Sequence, residues 1–375
     1  MAGSPALDAQ RRFDRNLHEL LSCIELESEI GRVQALERFA HAFVASHAAA
    51  FHQRAAAGRI RECHGDLRAE HVVLDGGVEI VDCVEFDLGL RQLDVADDLA
   101  FLVFDLTSRG GERFAPTLVQ AYRDAGGDPG EDPLIAFYAS YRGLVRAKVA
   151  LTRAAQHPDQ AAARARDSAK ARDLILLAER FAWRARLPVT VIVCGVPASG
   201  KTQLARALSD ASGLPHLSSD VIRKRLVGIR STAQAPAEAY GPAWNARTYE
   251  QLAHRAAEAV DAHGGAIVDA TFRHAPDRQV FASAFARAAP VVFIECQAPL
   301  PVLIQRAALR LSDPSRVSDA DGAVVRRERL AWDPLDEVPA DAHITLRTDR
   351  VLPDIVDDVA ALLDSRLRRV QVAGK

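Results

Sequence analysis

Gly195-Val196-Pro197-Ala198-Ser199-Gly200-Lys201-Thr202 constrains this chain more than any other stretch, because it satisfies G-x-x-x-x-G-K-[ST] in the setting that pattern requires. The apolar run Val189-Thr190-Val191-Ile192-Val193 leads in, and the helix-forming run Gln203-Leu204-Ala205-Arg206-Ala207-Leu208 leads out. Glycines permit dihedrals and close approaches that a Cβ blocks, so successive N–H groups of Gly195 through Gln203 turn inward on a phosphate chain. The helix that starts near Lys201 adds the positive end of its dipole. Lys201 is then expected to reach the β- and γ-phosphates, and the Thr202 hydroxyl to ligate Mg²⁺. The bland alternative is a glycine turn before a helix, with a solvated lysine.

The pattern around this loop predicts an α/β domain. Val189–Cys194, Gly213–Leu217, Ala266–Asp269, Val291–Cys296 and His343–Leu346 read as five short strands. Helical segments such as 201–211 and 245–262 separate them, and alternation of that kind predicts a parallel sheet covered on both faces. Before Pro188 the texture differs. Residues 11–58 have helical spacing without a strong breaker, and 72–74 and 78–81 read as a hairpin around Asp75-Gly76-Gly77. Helices return up to residue 185, interrupted by the loop 124–132, with one helix expected over 154–186 from its Ala and Arg content and the stripe Leu174, Leu176, Leu177, Phe181. We therefore expect two domains, 1–186 and 187–375.

The acids near the loop bear on chemistry. Ser218-Ser219-Asp220-Val221-Ile222-Arg223 puts Asp220 at the end of the second strand, where it can accept the proton of an attacking hydroxyl, with Arg223 one turn on to clamp an anionic group. Ser219 or Asp220 as a helix cap is the compatible alternative. Asp269 closes the run Ile267-Val268-Asp269 and suits the Mg²⁺ shell or the substrate, or else caps the strand end. Arg306, Arg310 and Arg316 flank a helix end and the loop 312–315, so a flap closing over a transferring phosphoryl group stands against a solvated helix face. On GVPASGKT, SSDVIRKRL, IVDATF and VLIQRAALR, residues 188 to about 350 resemble the small P-loop kinases grouped with polynucleotide 5′-kinases, zeta-type toxins, chloramphenicol phosphotransferase and gluconate kinase. The resemblance implies Asp220 as general base, Arg223 as substrate holder, and Arg306 and Arg310 as lid residues on ATP. The acceptor does not transfer with it.

A second constellation lies upstream. Cys63-His64-Gly65-Asp66-Leu67-Arg68-Ala69-Glu70-His71 carries H-x-D with a polar residue five positions after the acid, and Ile80-Val81-Asp82 follows. Such spacing suits a base with two magnesium ligands. HGDLRAEHVVL, IVDCVEFD, LRQLDVADDLAFLVFDL and YRGLVRAKVAL resemble the aminoglycoside phosphotransferase family, in the version fused to a P-loop kinase domain and labelled bifunctional aminoglycoside phosphotransferase/ATP-binding proteins. The resemblance implies Asp66 as base, with His71 and Asp82 at the metal positions. His71 stands where that family has Asn, and imidazole is a poorer partner for hard Mg²⁺. No glycine-rich loop or VAIK-like lysine precedes residue 60, so the lobe that holds ATP is expected to be missing; a start site placed too far downstream gives the same appearance.

Composition narrows the classes that remain. Lys and Arg number 47 against 50 Asp and Glu, for a net charge of −3, which lacks the footprint of a chain held on nucleic acid, although a local basic groove is compatible with it. The five cysteines are scattered without CxxC, and no HExxH spacing occurs, so neither disulfides nor zinc is expected. No signal sequence or apolar span is evident, and a cytoplasmic location follows. Arg142, Arg146 and Lys148 read as a solvated or acid-paired helix face, and Trp183, Trp244 and Trp332 are too dispersed for a base-stacking platform. The expectation is an enzyme using ATP and Mg²⁺ to phosphorylate a hydroxyl of a small molecule. A nucleotide-dependent switch and a polynucleotide 5′-kinase stand as alternatives.

Overall fold

The computed structural model describes residues 4–23, 27–156, 159–285, 289–311 and 321–373. The chain divides into two compact units, Met1–Arg186 with Ala360–Lys375, and Leu187–Val359.

The first unit runs α1 (Pro5–Leu21), α2 (Glu27–Ser46), α3 (Ala48–Ala56), β1 (Ile60–Glu62), β2 (Val72–Val73), β3 (Glu79–Ile80), β4 (Gln92–Asp94), α4 (Val95–Ser108), α5 (Phe114–Asp124), α6 (Asp132–Gln156) and α7 (Ala161–Arg184). α1 shows why helices form here: Ala6, Ala9, Phe13, Leu17 and Leu20 recur on one buried face and Pro5 opens the first turn. Those apolar faces meet around Phe137 of α6, which stacks on Phe43 with ring centroids 4.6 Å apart and also meets Phe13, Phe39 and Phe51. A Cβ on Gly143 would lie 2.5 Å from Phe104 and 2.9 Å from Ala178, so α6 crosses α4 and α7 at a distance only glycine permits. The expected helix over 154–186 is two elements. Residues 154–156 end α6, and α7 begins only at Ala161.

The hairpin exists but is shorter than the pattern suggests, pairing Val72 with Ile80 and Val73 with Glu79. β1 and β4 form a second antiparallel pair that periodicity does not reveal, since three exposed residues carry no alternation. The acid-paired reading of the α6 cations holds for two of them. Arg142 is buried against Asp97 at 2.6 Å, and Lys148 meets Glu19 at 2.5 Å.

The second unit runs β5 (Val189–Cys194), α8 (Lys201–Ser212), β6 (His216–Ser218), α9 (Ser219–Val227), α10 (Pro242–His263), β7 (Gly265–Asp269), α11 (Ala275–Ala284), β8 (Val291–Gln297), α12 (Leu300–Leu311), α13 (Gly322–Leu330) and β9 (His343–Arg347). α14 (Leu352–Ala373) starts here, and from Ala360 on it belongs to the first unit, where Arg186 donates to Asp364 at 2.7 and 2.9 Å. All five strands are parallel, in the order β6-β7-β5-β8-β9. β5 is buried on both faces as a central parallel strand must be, with Ile192 and Cys194 packed on the cluster of α10 and α11. The second strand begins at His216 rather than Gly213, because Gly213 adopts a left-handed conformation that closes α8.

Candidate functional site

Parallel strands deliver their carboxyl ends to one edge, and ligands of open α/β sheets bind outside that edge. Here β5 ends at the phosphate loop, β7 ends at Asp269 directly beside Val193 and Ser218, and β6 runs on into Asp220. Three segments far apart in sequence are thereby brought to one place.

The loop has the geometry its sequence implies. Gly195 sits at φ 140°, and a Cβ there would lie 2.6 Å from the Cys296 carbonyl oxygen, so no other residue fits without displacement. Among the described residues, the N–H groups of Val196, Ala198 and Gly200 have no hydrogen-bond acceptor, and α8 begins at Lys201 with its own free N-terminal amides. Pro197 offers none. Lys201 is buried, yet its ammonium has no acceptor or carboxylate among the described residues. The Ser199 hydroxyl is likewise buried without a partner, and Gln203 faces outward on α8.

Two arginines of α12 reach the same place. Arg306 donates from Nη2 to the Thr348 carbonyl at 2.7 Å and from Nη1 to the Thr348 hydroxyl at 3.2 Å. That hydroxyl in turn donates to the Ser199 carbonyl, so Thr348, just past β9, ties Arg306 to the phosphate loop. Arg310 is half-buried, without a hydrogen bond among the described residues. Burial, then the nearby Arg306 charge, pulls it below the usual guanidinium range. Two guanidinium groups and an ammonium held together with so little carboxylate pairing make a place for an anion. Arg316 and the loop 312–315 lie outside the described residues.

The acids complete the site. Asp220 is pushed above the ordinary carboxylate range, first by burial and then by the Asp269 charge, against the opposing pull of Lys201. It does not cap α9, whose N-cap Ser218 makes no side-chain bond either. Asp269 is buried, with Oδ2 3.4 Å from His216 Nε2 and Oδ1 without a hydrogen-bond partner among the described residues. The orphaned carboxylate oxygen at the end of β7 and the Thr202 hydroxyl in the first turn of α8, which has no hydrogen-bond partner among the described residues, are hard-oxygen donors of the kind Mg²⁺ prefers. Arg223 is buried, and its Nη1 donates to the Ala239 carbonyl at 2.6 Å and to Asn245 at 2.8 Å. It stacks over Tyr240, and its Nε has no acceptor among the described residues. Sequence reasoning missed Thr348, Asn245 and Tyr240, none of which belongs to a recognisable spacing. It also missed a cleft of about 230 Å³ beside Gly195 and Val196, lined by Glu295, Gln297, Arg329 and Trp332 among others.

The H-x-D loop of the first unit is held as firmly but differently. Asp98 of α4 accepts from the His64 and Gly65 amides, both at 2.9 Å, and Arg142 donates to the Gly65 carbonyl at 3.1 Å. Burial pushes Asp97 up against the pull of Arg142, which itself is raised. Asp66 is occupied within the loop, taking Arg68 Nε at 3.0 Å and Nη2 at 2.8 Å. His71 is buried, its Nδ1 2.9 Å from the Asp66 carbonyl and its Nε2 3.3 Å from the exposed Asp82 carboxylate. Arg146 of α6 has no hydrogen bond among the described residues, and burial and the Arg68 charge lower it.

The sheet order and the phosphate loop define the second unit as a P-loop nucleotide-binding domain. Residues 190–335 match the model of the AAA domain family, and residues 2–137 match that of the phosphotransferase enzyme family. The chain thus joins a segment that matches the phosphotransferase enzyme family to one that matches the AAA domain family. Among known proteins it is 29% identical over 333 residues to an uncharacterized protein of Mycobacterium tuberculosis and to another of Mycobacterium bovis. Those matches take in 86% of this chain, which spans 65% of each relative's length. Solved structures similar to it include a gluconokinase from Sinorhizobium meliloti 1021, at 17% identity and TM-score 0.36, over 51% of this chain and 99% of that one. The APS kinase of Mycobacterium tuberculosis, solved with AMPPNP and APS, matches at 20% identity and TM-score 0.35, over 48% of this chain and 98% of that one.

Proposed function

We propose that the second unit transfers the γ-phosphate of Mg·ATP to a hydroxyl group of a small molecule. The reading rests above all on one juxtaposition: Lys201 and Arg310, cations without carboxylate partners among the described residues, share a strand edge with an acid whose proton affinity is raised, Asp220. Bound magnesium supplies charge neutralisation on the phosphoryl oxygens, and Thr202 and Asp269 are the residues suited to hold it. The loop amides and Lys201 bind the phosphate chain, while Arg306 and Arg310 stabilise its developing charge. Asp220 takes the proton of the acceptor hydroxyl, and its raised pKa makes it a better base than an ordinary aspartate once ionised. Arg223, with Nε free, orients an anionic or polar group of the acceptor.

The H-x-D loop is assigned no transfer step, because Arg68 already engages the Asp66 carboxylate. The test is incubation with γ-labelled ATP and a pool of sugars, nucleosides, antibiotics and oligonucleotides, comparing wild type with Lys201→Ala and Asp220→Asn. Label on an organic acceptor, lost in both variants, supports the proposal. Label released only as inorganic phosphate, at a rate Asp220→Asn leaves unchanged, assigns the domain to a hydrolytic switch instead. Label on oligonucleotide 5′ ends, with strong salt dependence, assigns it to a polynucleotide kinase.

A further inference from the structure

We propose that the surface built by residues 72–90 of the first unit docks a polypeptide presenting apolar side chains flanked by Lys and Arg. Every residue from 73 to 82 and from 85 to 90 is exposed, and the large apolar ones are not marginally so. Phe86 is 85% exposed, Leu74 76% and Val78 71%, with Leu88 and Ile80 also more than half exposed. Single exposed apolar residues need no explanation, but this many within one short segment mark an interaction surface.

The charges choose the partner. Between residues 72 and 90 stand five acids, Asp75, Glu79, Asp82, Glu85 and Asp87, and not one Lys or Arg. An apolar surface with that rim is complementary to apolar side chains interleaved with cations. A second copy of the same surface would bring like charges face to face, and an anionic lipid surface would be repelled in the same way.

The backbone adds a means of attachment. β2 and β3 form a two-stranded sheet, so each has one edge without a strand partner among the described residues, suited to an added strand. The surface is also pre-shaped. His64 Nε2 lies 2.8 Å from the Val81 carbonyl, Val84 N donates to the His64 carbonyl at 3.0 Å, and Cys63 N donates to the Arg91 carbonyl at 2.9 Å. Asp98 anchors that loop in turn, so docking need not pay to order it.

The test pans a random-peptide display library on the full-length protein, with counter-selection on Phe86→Ser/Leu88→Ser, and measures the leading peptide by fluorescence anisotropy. We expect sequences that combine apolar residues with Lys or Arg, and binding that weakens with salt and falls at least about tenfold in that variant. A second variant, Leu74→Ser/Val78→Ser, alters the hairpin tip independently and should give the same loss. The proposal is overturned by a library that enriches nothing over the variant, or that yields acidic or uncharged sequences. It is equally overturned if sedimentation shows a dimer that Phe86→Ser dissociates, which assigns the surface to a second copy of this chain.

Discussion

Thr348→Val tests whether the loop and the arginine are coupled as the hydrogen bonds indicate. Valine keeps the shape of threonine and leaves the backbone acceptor for Arg306 Nη2 in place. What goes is the hydroxyl, which donates to the Ser199 carbonyl and accepts from Arg306 Nη1 at 3.2 Å. The neutral bond is worth about 1 kcal/mol, and the long, half-exposed bond to Arg306 about another 1 kcal/mol, for a total near 2 kcal/mol because the buried Ser199 carbonyl loses its side-chain donor. For a unit of this size that lowers the thermal midpoint by about 4–8 °C. Arg306 keeps one tether, so nucleotide affinity should fall about fivefold, the equivalent of roughly 1 kcal/mol. Differential scanning fluorimetry and titration with a fluorescent ATP analogue read both effects, and Thr348→Ser should restore them. A Thr348→Val protein that melts and binds nucleotide like wild type refutes the coupling.

Other substitutions probe the remaining joints. Gly195→Ala places a methyl 2.6 Å from the Cys296 carbonyl at a φ that disfavours side chains, so it should cost about 2–5 kcal/mol and abolish nucleotide binding in a filter assay. Asp220→Asn should lower turnover by about 10²–10⁴ yet stabilise the fold. Because the folded-state pKa of Asp220 is raised, the folded chain binds its proton more tightly, and ionisation weakens the fold as pH climbs from the unfolded value through the folded one. The gain in midpoint should therefore be full at neutral pH and vanish in acid below the ordinary aspartate value of about 3.9; a variant less stable than wild type at pH 7 contradicts it. Arg142→Met leaves the buried Asp97 to the more distant Arg12, 4.0 Å away, and should cost up to about 3–5 kcal/mol by chemical denaturation, while Arg142→Met/Asp97→Leu should cost clearly less.

Local signals made the second unit legible. Six consecutive buried residues in β5, a glycine-rich turn and an amphipathic helix are contiguous, so strand, loop and helix could be read together. Where structure depends on distant partners, the reading fell short. Thr348 carries no motif, and its acceptor Ser199 lies 149 residues earlier. β1 and β4 pair across thirty residues through fully exposed or very short segments, where alternation has no room to show. The helical spacing of Arg142 was plain, but spacing alone does not say whether that face meets water or α4. α6 buries it because Gly143 lets the two helices approach and Asp97 supplies the counter-charge.

Asp66 and Asp220 show how far residue type alone can carry a functional assignment. Both follow a short extended segment and both sit where a base would. Asp66 has Arg68 two residues on, with two guanidinium nitrogens donating to one carboxylate oxygen, so that oxygen is already engaged within the loop. Asp220 has no such clamp. Burial and the Asp269 charge raise its proton affinity, against the opposing pull of Lys201 and Arg223. If that contrast governs the chemistry, Arg68→Met should leave ATP-dependent turnover at the second unit unchanged, whereas turnover that appears or rises in Arg68→Met and disappears in Arg68→Met/Asp66→Asn would show that the ion pair holds a competent base in reserve.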